Sequence, residues 1–152
     1  MAYTSESART RLLDQLGAAV DQLATALAAL GEAYDQMDEQ TAEVLEERLF
    51  RPVQGAYGRA RRTHLEFAQR HQLPTRTFTT GSPGAHSLDP RTHLERAIGA
   101  IEQADHIVAD MQDSMLPVEV GDRELRDGLT ETREMIATAP GYGRQMLRLI
   151  GR

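Results

Sequence analysis

Phe50, Val53, Tyr57, Ala60, His64, Phe67 and His71 step by 3, 4, 3, 4, 3 and 4 residues, so one inward helix face carries a phenol and, below it, two imidazoles. Imidazoles at core-type positions could ligate a metal or haem. A seven-residue spacing on a helix separates His64 from His71 by ~10 Å, which is too far for one shared metal ion. Tyr57, His64 and His71 are therefore candidates for a ligand site in the helical interior, with no metal ligand set assigned. The competing reading makes His64 a hydrogen-bonded core residue and leaves His71 exposed at a frayed helix end.

Other groups admit the same two-sided reading. Arg59, Arg61, Arg62, Arg70 and Arg76 gather positive charge that could grip phosphate, nucleic acid or an acidic partner. Glu66 interrupts that face and no nucleic-acid-binding motif accompanies it, which favours surface pairing; a homo-oligomer could set the patch against the acidic wet face of the first helix. Glu102, His106 and Asp110 recur every four residues, but His106 falls farthest from the core in its helix register, so a solvated charge stripe explains them. Arg144, Arg148 and Arg152 lie along one side of a short C-terminal segment whose Met146, Leu149 and Ile150 point elsewhere. Such a basic amphipathic piece could dock on a membrane surface, a partner or its own protein. Ser82 sits in "GSPG", outside any nucleophile elbow, and no convergent catalytic set argues for an enzyme.

Composition narrows the field. The 152 residues fit one domain with a sizeable core, and the net charge of −6 argues against a dedicated nucleic-acid binder. Without Cys there is no disulfide, thiolate metal site or thiol nucleophile. Every one of the 17 basic residues is Arg, which removes Schiff-base lysines and the P-loop lysine. No run approaches the ~20 apolar residues of a membrane span, and the N-terminus lacks a basic region followed by an apolar one. The expectation is a soluble, cytoplasmic chain without a cofactor.

Helices must position all of this, since strong helix formers abound and only 5% of residues are aromatic. Leu13, Leu16, Val20, Leu23, Leu27, Leu30, Tyr34 and Met37 hold a heptad seam, predicting a first helix over 5–38. Beside the seam stand Gly17, Ala24 and Gly31 on one flank and Ala19, Ala26 and Ala33 on the other. Gly costs a helix ~1 kcal/mol against Ala, so these positions predict a closely approaching neighbour helix or second copy. A turn near Asp38–Thr41 should lead to a second helix over 41–72, kinked or broken at Pro52. Residues 74–89 read as a linker that either hangs loose or crosses the length of the helices. Asp89 and Pro90 open a third helix with Leu94, Ala97, Ile101, Ala104, Val108, Met111 and Met115 inward. Asp122 caps a fourth with Leu125, Leu129, Thr132, Ile136 and Ala139 inward, which "PGYG" at 140–143 should break.

"RTRLLDQLGA" from Arg9 and "RTHLERAIGA" from Arg91 share R-T-x-L-x-x-x-[L/I]-G-A, and "YGR" recurs at Tyr57 and Tyr142. The pattern suggests two helical hairpins, 5–73 and 90–139, joined by the linker and followed by a basic tail at 140–152. The expected fold is an all-α antiparallel four-helix bundle, whose topology resembles the ferritin-like bundles. Their di-iron members carry Glu-x-x-His on two helices; here no Glu is followed three residues later by His, so the resemblance stops at topology. The leading expectation is a non-enzymatic interaction or scaffold protein that self-associates through Gly17, Ala24, Gly31, Arg59, Arg61, Arg62, Arg144 and Arg148, with an unidentified protein partner also possible. A small-ligand, haem or metal site near Tyr57 and His64 is the first alternative, and an Arg-dependent nucleic-acid or acidic-partner binder the second.

Overall fold

The computed structural model describes residues 2–85 and 88–150, which are all-helical, with no strand among them. Helix α1 (Ala2–Asp35) is followed by α2 (Glu39–Leu45), a π-helical turn (Glu46–Phe50) and α3 (Arg51–Arg70). After the linker come α4 (Pro90–Asp113), the single turn α5 (Leu116–Glu119), α6 (Arg123–Ile136) and α7 (Ala139–Ile150).

The starts of these helices follow directly from capping chemistry. Asp38, Asp89 and Asp122 each accept the backbone N–H of the residue three further on, Thr41, Thr92 and Leu125, all at 2.8 Å. Each satisfies an N–H that the helix itself leaves unpaired. The first helix thus ends at Asp35, three residues earlier than expected, because Asp38 already caps the next one. Pro52 can neither donate to the carbonyl four residues back nor fit beside it. The ladder absorbs this one turn upstream: Arg51 N–H donates to Glu46 C=O, five residues back, so the expected kink is a π turn preceding the proline.

Two expectations are corrected nearer the C-terminus. Met115 is 59% exposed instead of inward, because α4 stops at Asp113 before the Leu116–Pro117 pair. "PGYG" does not break a helix but opens one. The break lies at 137–138, and Pro140 sits in the first turn of α7, where its missing N–H leaves no intrahelical bond unmade. Of the docking surfaces open to this short basic segment, α7 takes its own protein and packs on α4. Its Gly143 fits against Ile98 of α4, Arg144 pairs with Glu102, and Arg91 donates to Leu147 C=O at 3.0 Å. Arg148 is exposed and Arg152 lies outside the described residues.

The helices pack through the predicted faces except near the end of α1, where Tyr34, expected on the inward seam, is 40% exposed. Leu12, Leu16, Leu23 and Leu30 of α1 are fully buried, and truncating any one to Ala should cost ~2–5 kcal/mol. The most extensive contact is α1 with α4. Ala19, Ala26 and Ala33 on α1 and Ala97, Ala100 and Ala104 on α4 are all buried, and small side chains on both helices let their axes close together. Helix α3 lies against α1 on one side and antiparallel to α6 on the other: Arg70 pairs with Asp122, Arg59 with Glu131, and Gly55 faces Met135. Between these pairs, Thr63 fills the space left by the absent side chain of Gly128.

Asp122 joins the end of α3 to the start of α6. Burial opposes its charge, yet hydrogen bonds from Arg70, the Leu125 N–H and His71 outweigh that cost and hold its carboxyl at about 2. Its contribution to folding is complete above the ordinary value of 3.8 and is lost as pH falls towards 2. His71 is thereby half-buried and bonded to Asp122 at 2.9 Å, not loose at a frayed end.

Chain direction changes at Gln72, the only non-glycine among the described residues with positive φ, at 57°. Leu73 N–H donates to Ala68 C=O and Gln72 N–H to Gln69 C=O, the pairing of a Schellman cap that ordinarily carries glycine. A side chain in this conformation costs roughly 1–2 kcal/mol. Gln72→Gly should accordingly raise the unfolding free energy by about 0.5–1 kcal/mol in urea titration, the relief of strain less the entropy cost of glycine; an unchanged or lower value would contradict the strain assigned to this position.

Candidate functional site

The site grows from the path of the linker. Leaving α3, the chain lies over both α1 and α3, with Arg76 bonded to both carboxylate oxygens of Asp21 at 2.8 Å. Phe78 is seated edge-on against the His64 ring with centroids 5.1 Å apart, and Arg76 caps its face at 4.4 Å. The chain then crosses α1. A Cβ on Gly81 would fall 2.5 Å from Thr25 N and 2.7 Å from the Ala24 carbonyl carbon, so backbone rests on backbone there. Beyond α1, His93 Nδ1 meets Pro83 O at 3.1 Å and Arg96 donates to Ser82 O at 3.3 Å, which fastens the linker to α4. Of the two sequence alternatives for 74–89, the linker crosses; His86 and Ser87 lie outside the described residues.

Gly17 and Ala24 thus receive the linker and not a neighbouring helix. Arg76 Nη1 lies 2.8 Å from where a Cβ of Gly17 would be. Gly31, next in the same series, has nothing within 4 Å of such a Cβ and opens onto a cleft.

That cleft is the stretch between α1 and the α2–α3 arm that the linker leaves uncovered. Its volume is ≈ 780 Å³, with Ala24, Ala28 and Gly31 as floor and Leu27, Tyr34, Phe50, Tyr57 and Pro83 as walls. The charged residues lining it are Glu32, Asp35 and Glu46. A second groove of ≈ 780 Å³ lies on the other side of Gln54, between α3, Met135 of α6 and the linker. There the charged lining is Arg59, Arg61, Arg62 and Arg76, beside Leu65 and Phe78. Two adjoining hollows of similar size are therefore lined by charged residues of opposite sign.

The candidate residues divide between these hollows. Arg59 is tied to Glu131 and Thr63, and Arg62 stands 3.6 Å from Glu66. Arg61 lies over the Tyr57 ring at 5.1 Å, on the boundary of the two grooves. Tyr57, His64 and His71 do not converge. Tyr57 lines the acidic cleft, His71 is held by Asp122, and His64 borders a separate small hollow of ≈ 270 Å³ with Asp14, Leu73 and Arg76. Glu102 is paired with Arg144, and His106 is a surface partner of Asp110 at 3.4 Å.

His64 fastens the linker. Only 3% of it is exposed, and its Nδ1 makes no close hydrogen bond among the described residues. Burial lowers its pKa, the Leu13 backbone resists, Arg76 adds to the lowering, and Asp14 and Asp21 oppose it. Sequence reasoning missed His93, which is fully buried. Its place beside Leu94 in the first turn of α4 was the available signal; its bond to Pro83 depends on a fold in which the linker arrives there.

No family model, curated protein or solved structure matches this chain, so its chemistry is argued from its own residues.

Two outcomes follow from the way the linker is held. Gly81→Ala should cost about 1–3 kcal/mol and increase protease cleavage at Arg76, since the added methyl group must lift the linker from α1; wild-type stability and cleavage would contradict the contact. Burial disfavours the protonated form of His64 in the folded protein, whereas the unfolded chain takes up its proton near the ordinary 6.5. Stability should therefore be full above that pH and decline as pH falls through it. Urea titrations at pH 7.5 and 5.5 should show a smaller loss for His64→Gln than for wild type, and equal losses would remove His64 from this role.

Proposed function

We propose that the protein is a non-enzymatic interaction protein, a single helical domain that pairs with a second copy of itself. The fold reads as an antiparallel four-helix bundle with α1, α2–α3, α4 and α6–α7 as its arms and the linker as a crossover strap. The observation that carries this reading is the adjacency of the two hollows. An acidic and a basic groove of ≈ 780 Å³ each share Gln54 at their boundary, and a two-fold axis there would set each groove against its opposite on the other copy. Isologous pairing of this kind requires a surface that is complementary to itself.

The apolar surface around the grooves is consistent with such an interface. Tyr34 is 40% exposed, Leu65 40% and Met135 39%, one beside the acidic cleft and two beside the basic groove. In an acidic, lysine-free chain, opposed grooves also give orientation, because like-charge registers are penalised. Among the residues singled out by sequence, Ala24, Gly31, Arg59, Arg61 and Arg62 line these grooves. Gly17 seats the strap that walls both, while Arg144 and Arg148 lie on α7.

Sedimentation velocity at low ionic strength tests the pairing. Wild type should sediment as a dimer, and Arg62→Glu and Glu46→Arg should each weaken association by at least about tenfold. Mixing those two variants should restore a dimer, because every cross-copy contact then joins opposite charges. A wild-type monomer at every accessible concentration, or a mixture no more associated than its components, would refute the reading.

A further inference from the structure

We infer that the basic groove between α3, Met135 of α6 and the linker is a binding site for an organic phosphate, a phosphomonoester carried on an apolar body. The inference rests on the lining of the groove and stands whether or not copies pair; a second copy seated there would compete with the ligand. Guanidinium donors without acceptors, an adjoining apolar wall and an open floor point to that ligand class.

The four arginines of the groove are not alike. Arg59 donates to Glu131 and Thr63, and Arg76 donates to both carboxylate oxygens of Asp21 at 2.8 Å, so each is balanced by an acid on another element. Arg61 lies over the Tyr57 ring at 5.1 Å and makes no hydrogen bond or ion pair among the described residues. The ring holds the side chain at the groove's edge but offers no oxygen to its five N–H donors. Arg62 stands 3.6 Å from Glu66, beyond hydrogen-bond distance. Two neighbouring guanidiniums are thus left with donors to give. A phosphomonoester carries a charge of about −1.5 to −2 at pH 7 and three acceptor oxygens, which matches two guanidinium forks better than a singly charged oxyanion does.

The wall beside these arginines is apolar. Leu65 is 40% exposed and Met135 39%, and Phe78 of the linker completes that side. Inorganic phosphate would leave this surface wet, whereas an apolar body attached to the head group takes it out of water. Thr75 and Thr77 add hydroxyls on the linker side, and no carboxylate lines the groove. A bound dianion therefore meets donors and hydrocarbon, with no like charge in the lining to oppose it.

The floor is open where Gly58 leaves α3 bare. A Cβ there would meet nothing within 4 Å, whereas the sites of Gly128 and Gly143 are filled by the side chains of Thr63 and Ile98. Space that no protein atom claims thus lies directly against the helix. The groove's ≈ 780 Å³ falls within the range of about 300–1,000 Å³ typical of small-molecule sites. Gly58 is also where the site can be closed without disturbing a protein contact.

Nuclear magnetic resonance titration at pH 7.5 with phenyl phosphate, inorganic phosphate and benzenesulfonate tests this directly. Using both wild type and Glu46→Arg separates the outcome from that of pairing, since Glu46 lines the other cleft. Phenyl phosphate should bind saturably, with shifts centred on Phe78 and on the side-chain N–H groups of Arg61 and Arg62, at least about tenfold more tightly than either of the other anions. Arg61→Gln with Arg62→Gln should weaken it at least about tenfold, and Gly58→Leu should abolish saturable binding, in proteins with unchanged helical circular dichroism. Binding confined to Glu46→Arg would support the site and indicate that a second copy competes for it. Absence of saturable binding in both proteins, inorganic phosphate or benzenesulfonate binding as tightly as phenyl phosphate, shifts centred elsewhere, or full binding by Gly58→Leu or the double arginine variant would overturn the inference while leaving the pairing proposal standing.

Discussion

The architecture of the surface depends on one steric constraint, the contact of the Gly81 backbone with the backbone of α1 at Ala24 and Thr25. An extended chain can cross a helix this closely only where neither side interposes a bulky side chain. That requirement fixes where the linker leaves the space between α1 and α3. Below the crossing, Thr75, Arg76, Thr77 and Phe78 wall the basic groove; above it, the floor around Gly31 stays open. Moving the crossing along α1 would redistribute both hollows. The small residues flanking the leucine seam therefore serve two ends: Ala19, Ala26 and Ala33 are buried in the core, while Gly17 and Ala24 seat the strap.

Ion pairs add register more than stability. Arg59–Glu131, Arg70–Asp122, Arg76–Asp21, Arg133–Asp105 and Arg144–Glu102 each join two different elements. Exposed pairs of this kind contribute about 0–1 kcal/mol apiece, well below the ~2–5 kcal/mol lost on truncating a buried leucine. Their value lies in specificity, since a helix slipped by one turn would lose its partners. Arginine suits this role because its planar fork can engage both carboxylate oxygens, as Arg70 does with Asp122. Arg61 and Arg62 stand apart from that set: they have no cross-element partner among the pairs described, and they lie in the basic groove.

Local chemistry was legible in the sequence, and so were the helix faces it organises. Asp38, Asp89 and Asp122 announce helix starts because capping involves only the next three residues, and the heptad spacing of Leu16, Leu23 and Leu30 announces burial because a helix repeats its own geometry. The π turn before Pro52 was less accessible, since the proline reports a disrupted ladder without saying which turn absorbs it. Pro140 misled for a related reason: its effect depends on whether it stands inside a helix or at a start. The grooves were visible only as parts. Tyr57, Gly31 and the arginines could be named individually, but opposite charge on either side of Gln54 arises from the course of the linker. That course rests on Phe78 meeting His64 and Pro83 meeting His93, contacts that no local spacing encodes.

The most direct test of the account is a nuclear Overhauser experiment at neutral pH between the ring protons of Phe78 and His64. With three phenylalanines and five histidines in the chain, the assignment is tractable. Ring centroids 5.1 Å apart predict a clear cross-peak. A spectrum with both rings assigned and no such cross-peak would mean that the linker does not lie over α1 and α3, and the two grooves would go with it.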